Sequence, residues 1–326
     1  MRRFLAAVRL YKTPLGWAAA RWELTPRALR WASTAALVVS IVIIFTGGLV
    51  RVTGSGLGCP NAAVFCEGDS LFPTAALGIH GIIEFANRAL TGVIGFAVGW
   101  VIVAARLQRP MNRAITRLAW SQFWLVVANA VAGAFTVQIK LNPWVVAAHF
   151  LLAIVLLATT TLTWHRVHEK PLAVRAPISA APLAWALVIV TLVLVVVGTL
   201  VSGSGPHSGD SSDVPRMQLS WTAVAWIHGS LGVLVFAIAA VLLFRLGRDD
   251  RDALVRRRVI VFLVVVLAQG AVGSIQALTG LPATLVSFHL LGAALVWVGA
   301  LRVLLDSDPL LFARAGATDA RAASTP

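Results

Sequence analysis

Polar residues are scarce along this chain and collect between long apolar runs. Eight such runs stand out, at roughly 32–50, 76–105, 118–137, 144–164, 182–202, 222–245, 259–278 and 284–304. Each is about 20 residues or longer, the length a helix needs to cross a hydrocarbon core of roughly 30 Å. None alternates apolar with polar, as the strands of a membrane barrel do. With lipid as solvent the backbone must satisfy itself, so the pattern predicts an all-α integral membrane protein of eight transmembrane helices. The first run is preceded by some thirty residues and lacks a small-residue cleavage site, so it reads as a retained helix and not a signal peptide.

The runs repeat. Span 1 ends in GGLVRVTGSG (47–56) and span 5 in GTLVSGSG (198–205). Span 2 opens with IHG at 79–81 and span 6 with IHG at 227–229. Asn129 and Gly133 in span 3 precede His149 in span 4, and Gln269 and Gly273 in span 7 precede His289 in span 8. Four matches in the same order point to two fused copies of one four-helix unit. Four spans is an even number, so the copies keep one orientation. That predicts two parallel four-helix bundles related by a pseudo-two-fold axis along the membrane normal, the parallel-repeat case.

Composition and charge refine this picture. The chain is 59% hydrophobic and 12% charged, against roughly 45–50% and about 25% in soluble domains. With the N-terminus inside, 23 of the 27 Lys and Arg fall in cytoplasmic segments. Arg51, Lys140 and Arg216 fall outside, and Arg88 lies within a span. The net charge of +14 is therefore an orientation signal. Spread over short loops, it does not form a nucleic-acid surface. The expected organisation is a cytoplasmic segment (1–31), a first repeat (32–164), a cytoplasmic linker (165–181), a second repeat (182–305) and a cytoplasmic tail (306–326). The protein is thus expected in the cell membrane, multi-pass, with both termini cytoplasmic.

Ionisable groups inside spans are costly and usually functional. His80, His149, His228 and His289 lie in spans 2, 4, 6 and 8, each about four to six residues after the span begins. At 1.5 Å per residue that is roughly 6–9 Å deep, so all four are expected at one level near the outer leaflet. Each repeat then holds two His on helices that can face each other, a natural axial pair for haem iron. The alternative is interfacial His bonded to neighbouring carbonyls. Zinc or copper would want further ligands, and no Cys or carboxylate cluster accompanies either pair.

Glu84 follows His80 by one turn on the same face. Gly232 takes its place in the second repeat, so the halves differ. A carboxylate inside a membrane can bind and release protons, or Glu84 can form a structural ion pair with Arg88. Cys59 and Cys66, the two cysteines, share the outer loop between spans 1 and 2, where an oxidising compartment favours a disulfide. Stabilisation and a redox or substrate-handling role both remain open for that loop. The spacing is neither C-x-x-C nor C-x-x-C-H, so covalent haem attachment is not indicated.

Together GGLVRVTGSGLGCP, the second Cys, IEFANR in span 2, the lone His of spans 4, 6 and 8, and GSGPHSGD after span 5 resemble haem A synthase, in an actinobacterial-type variant. The resemblance runs from about residue 35 to 305. It implies oxidation of the C8 methyl of haem O to the formyl of haem A, for cytochrome oxidase. It further implies haem b in the second half on His228 and His289, and substrate haem O in the first half facing His149. Glu84 matches the essential Glu of that family, and Cys59 and Cys66 its outer-loop disulfide. Arg51, Asn87 and Arg88 are candidates for haem propionate or structural contacts. In one departure, Asn87 stands where many members carry His. His80 either replaces that ligand or leaves the substrate iron to His149 alone. The resemblance implies haem O synthase and the oxidase assembly machinery as partners; a membrane electron acceptor and a second copy of the chain are further candidates.

Two other classes compete. A di-haem b-type electron carrier stacks haems at two depths, with paired His on single helices, whereas each helix here has one. A transporter on parallel repeats should show helices broken at mid-membrane, and these runs are continuous.

Overall fold

A computed structural model describes residues 13–61, 66–168, 181–207, 209–210, 212, 214–247 and 250–308. Among them the chain forms eight helices long and apolar enough to cross a membrane, and no named strand. They are α1 (Pro26–Val52), α2 (Gly78–Arg106), α3 (Arg113–Gln138), α4 (Pro143–His168), α5 (Ala181–Ser204), α6 (Trp221–Arg245), α7 (Asp250–Leu278) and α8 (Ala283–Ser307). A short helix, Pro14–Arg21, precedes them.

Most helices overrun the apolar stretch that predicts them. α1 starts at Pro26, where Thr25 accepts the N–H of Ala28 at 3.3 Å and proline takes the first turn. There the missing N–H costs nothing. Asn112 caps α3 through the N–H groups of Ala114 and Ile115, at 3.0 and 3.2 Å. α7 begins at Asp250, nine residues ahead of its apolar run. These extra turns carry arginines, which suit the headgroup region and not the hydrocarbon. Residues 1–12, 169–180 and 309–326, holding the start of the expected N-terminal segment and most of the linker and tail, lie outside the described residues. Within the described part α4 continues to His168 and α8 to Ser307.

Neighbour relations repeat as the sequence does. In the first half α1 packs on α2, α2 on α3, α3 on α4, and α4 back on α1. In the second, α5 packs on α6, α6 on α7, α7 on α8, and α8 back on α5. Between halves α1 meets α8, α4 meets α5, and α4 meets α8. Exchanging α1–α4 for α5–α8 carries the α4–α8 pair onto itself and each other pair onto another of them.

The packed side chains are unevenly placed. One cluster joins Leu29, Ala36, Val98, Val101, Ile115, Ala119 and Leu156 in the first bundle. Another joins Leu187, Val235, Leu242, Val259, Phe262, Trp297 and Leu304 of the second bundle with Leu37, Ile154 and Leu157 of the first. Both sit mainly toward the arginine-rich end of the helices. Lipid tails are as apolar as leucine, so these clusters hold by close packing and by interhelical polar bonds. Trp297 donates to the Ile154 carbonyl at 3.1 Å across the halves, and Gln122 donates to Thr163 at 2.6 Å within the first. At the same end Asp306 binds Arg258 at 3.0 Å and lies 3.9 Å from His165.

The other end holds the Cys59–Cys66 loop and is tied across the halves by loop backbone. Gly56 N–H donates to the Gly209 carbonyl at 2.8 Å, and Leu57 N–H to Asp210 at 3.1 Å. Gly209 has φ of 112°, a conformation a side chain resists.

Candidate functional site

Glycines set where the histidines go. His149 on α4 lies against Gly133 of α3, where a Cβ would sit 3.4 Å from the ring. His228 on α6 lies against Gly198 of α5, and His289 on α8 against Gly273 of α7, with a Cβ at 3.1 Å in both cases. At Gly198 and Gly273 a side chain would press the ring out of its seat by a few tenths of an ångström, whereas at Gly133 a Cβ would make ordinary contact.

These three histidines line one cavity of about 290 Å³. It is walled by α1 and α4 of the first bundle and by α5 to α8 of the second, toward the disulfide end. His228 and His289 face each other with ring centroids 6.1 Å apart and planes at 70°. A metal bound by one nitrogen of each ring at about 2.0–2.1 Å would hold collinear rings at roughly 6.3 Å, so the pair fits a shared axial metal. His228 Nδ1 lies 3.1 Å from the Leu194 carbonyl. A carbonyl only accepts, so Nδ1 carries the proton and Nε2 presents its lone pair, the arrangement of a ligating histidine. The Nδ1 atoms of His149 and His289 are buried without a partner among the described residues. Gln269 lies across Gly292 in the same cavity, leaving no room there for a Cβ. Among the described residues no three His, Cys, Asp or Glu side chains converge. A metal here therefore has to bring its other ligands, as a macrocycle does.

His80 stands apart. It is the third residue of α2, whereas His149, His228 and His289 are seventh or eighth in their helices. Its Nδ1 pairs with Ser55 Oγ at 2.9 Å, and it does not line the cavity. Gly47, the repeat counterpart of Gly198, has nothing within 4 Å of a built Cβ, so no ring is seated there.

Glu84 is buried, 5% exposed, beneath the Cys59–Cys66 disulfide loop. Cys59 N–H donates to its Oε2 at 2.5 Å, and Arg88 binds its Oε1. Arg88 further donates to the carbonyls of Asn61 at 2.7 Å and Cys59 at 3.1 Å. The ion pair considered from sequence is therefore present and extends into the loop. Asn87 accepts from Thr46 at 2.8 Å, which ties α2 to α1. Arg51 lines the cavity and donates to the Ser202 carbonyl at 2.8 Å.

Sequence reasoning missed the role of Gly198 and the bond from His80 to Ser55. The first had a signal, since each His-bearing helix follows a helix with a glycine at a matched place. The second had none, because Ser55 lies in a turn whose path is set by Asp210 from the other half.

Comparison with known proteins gives a consistent result. The profile of a cytochrome oxidase assembly protein family, COX15-CtaA, matches residues 75–301. Heme A synthase of Staphylococcus epidermidis is 24% identical over 279 residues, covering 81% of this chain and 90% of that protein. Heme A synthase of Bacillus mycoides is 24% identical over 277 residues, 81% of this chain and 88% of the relative. Heme A synthase of Lysinibacillus sphaericus is 30% identical over a shorter stretch of 136 residues, 42% and 44% of the two chains.

Proposed function

The chain belongs to the COX15-CtaA family of cytochrome oxidase assembly proteins, and from that premise we propose that it is a haem A synthase, oxidising the C8 methyl of haem O to the formyl of haem A. The facing pair His228 and His289, opening on the same cavity as His149 of the other bundle, carries this reading beyond family likeness.

His228 and His289 would hold haem b, which supplies one-electron chemistry when bound. His228 is oriented for this by the Leu194 carbonyl, and His289 by its seat on Gly273. The apolar walls contributed by Phe150, Ala153 and Val296 exclude water around the pair. His149 would face the iron of substrate haem O in the first bundle. His80 is engaged with Ser55, which favours His149 as the sole protein ligand there and leaves one face of that substrate free.

Turning a methyl into a formyl with oxygen from water releases four electrons and four protons. The electrons require a membrane acceptor. Glu84, buried in the first bundle, is assigned to proton transfer, with Arg88 holding its carboxylate in place. The exchange symmetry of the helix contacts supports a pseudo-two-fold axis along the membrane normal. The arginine-rich end is assigned to the cytoplasm and the disulfide end to the oxidising side. Haem O synthase, the oxidase assembly machinery and a further copy of this chain remain the proposed partners.

The test is co-expression with a haem O source, followed by extraction of bound haems and identification by mass. Haem A in the extract is the expected result. Haem O with no haem A, from protein that carries haem b, would refute the activity.

A further inference from the structure

Among the described residues Arg51 is a cation without an anion. It sits near the end of α1, lines the cavity that holds His228 and His289, and donates from Nη2 to the Ser202 carbonyl at 2.8 Å. Its Nε is buried with no partner, and no carboxylate lies within ion-pair distance among the described residues. Asp210, in the adjoining loop, is occupied by the N–H groups of Leu57 and Ser212. Buried charges in proteins are paired, because an unpaired one forfeits its hydration. Gln276, whose Oε1 is likewise buried without a partner, lines the same cavity.

The position is informative. Aligning GGLVR with GTLVS makes Ser202 the repeat counterpart of Arg51. The two equivalent positions therefore touch at the seam between bundles, and only one bears a charge.

We propose that Arg51 binds a carboxylate of the group held between His228 and His289, so that the first bundle supplies the anion anchor for the site in the second. This rests on the reading of that site as a haem b site, haem b carrying two propionates. A guanidinium suits this task because it meets a carboxylate with two parallel N–H donors. The ligand would then stand with its acid groups toward the disulfide end and its apolar body toward the membrane interior.

The test needs no turnover. Full-length apoprotein from a haem-depleted host is titrated with haem b and with haem b dimethyl ester, and binding is followed by the Soret band. Wild type should bind the free acid about 10- to 100-fold more tightly than the ester. Arg51→Met should bind the two alike, by losing affinity for the acid alone, and Arg51→Lys should keep part of the preference. A wild type indifferent to esterification, or an Arg51→Met variant that retains the full preference, overturns the proposal and leaves the haem b reading standing. Failure of wild type to bind either form overturns both.

Discussion

Glu84 and Cys59 are directly joined: the backbone N–H of Cys59 donates to Glu84 Oε2 at 2.5 Å. Arg88 closes the figure, holding the other carboxylate oxygen and the carbonyls of Cys59 and Asn61. Glu84, Arg88 and the backbone of Cys59 and Asn61 are therefore tied together.

Replacing Glu84 by Ala is expected to abolish haem A formation while haem b stays bound, read by extracted haems and by the Soret band of the purified protein. The loop loses a charged acceptor, typically worth about 1.5–3 kcal/mol, so proteolysis of residues around Cys59 should also quicken. Surviving product would remove Glu84 from the chemistry and leave it a purely structural role.

His228→Ala should lose the haem b spectrum, because it removes both a ligand and the nitrogen fixed by Leu194. His289→Ala should do the same. A haem-to-protein ratio equal to that of wild type in either variant would move the cofactor to the first bundle.

The glycine seats give a finer test. A Cβ at Gly198 or Gly273 would lie 3.1 Å from Cε1 of His228 or His289. Gly198→Val and Gly273→Val should therefore lower haem b occupancy several-fold. Gly95→Ala, with nothing within 4 Å of its Cβ, should match wild type. Equal occupancy across all three variants would mean that the rings are not positioned by these contacts.

At the opposite end, Asp306→Asn weakens the pairing with Arg258 and His165. Arg258 is partly exposed, which dilutes the effect, so a loss of about 1–2 kcal/mol is expected. A lowered unfolding temperature in detergent with an unchanged haem spectrum is the predicted outcome. An unaltered unfolding temperature would show that the cluster contributes little to stability.

The eight spans were legible because lipid makes each helix its own signal, an apolar run with no need of partners. Their ends were less so: α7 begins well before its run, since polar turns at the headgroups leave no apolar trace. The helix Pro14–Arg21 was overlooked although Thr13 and Pro14 spell its cap. At the site, His149 and His289 could be matched from spacing alone, since each lies 16 residues after a glycine of the preceding span. His80 could not be placed this way. Its departure depends on Ser55, whose turn is braced by Asp210, some 150 residues later in the chain. For Glu84 the sequence offered an ion pair or a catalytic acid as alternatives, and the geometry forms the pair with Arg88.

The tight clusters of Leu, Val and Phe near the arginine-rich end have a consequence for biogenesis. That base needs only its own side chains to assemble, whereas the opposite end keeps room between glycines. On the proposed reading, construction and loading are expected to be successive events, the helices settling first and a large flat pigment entering afterwards without unmaking the foundation.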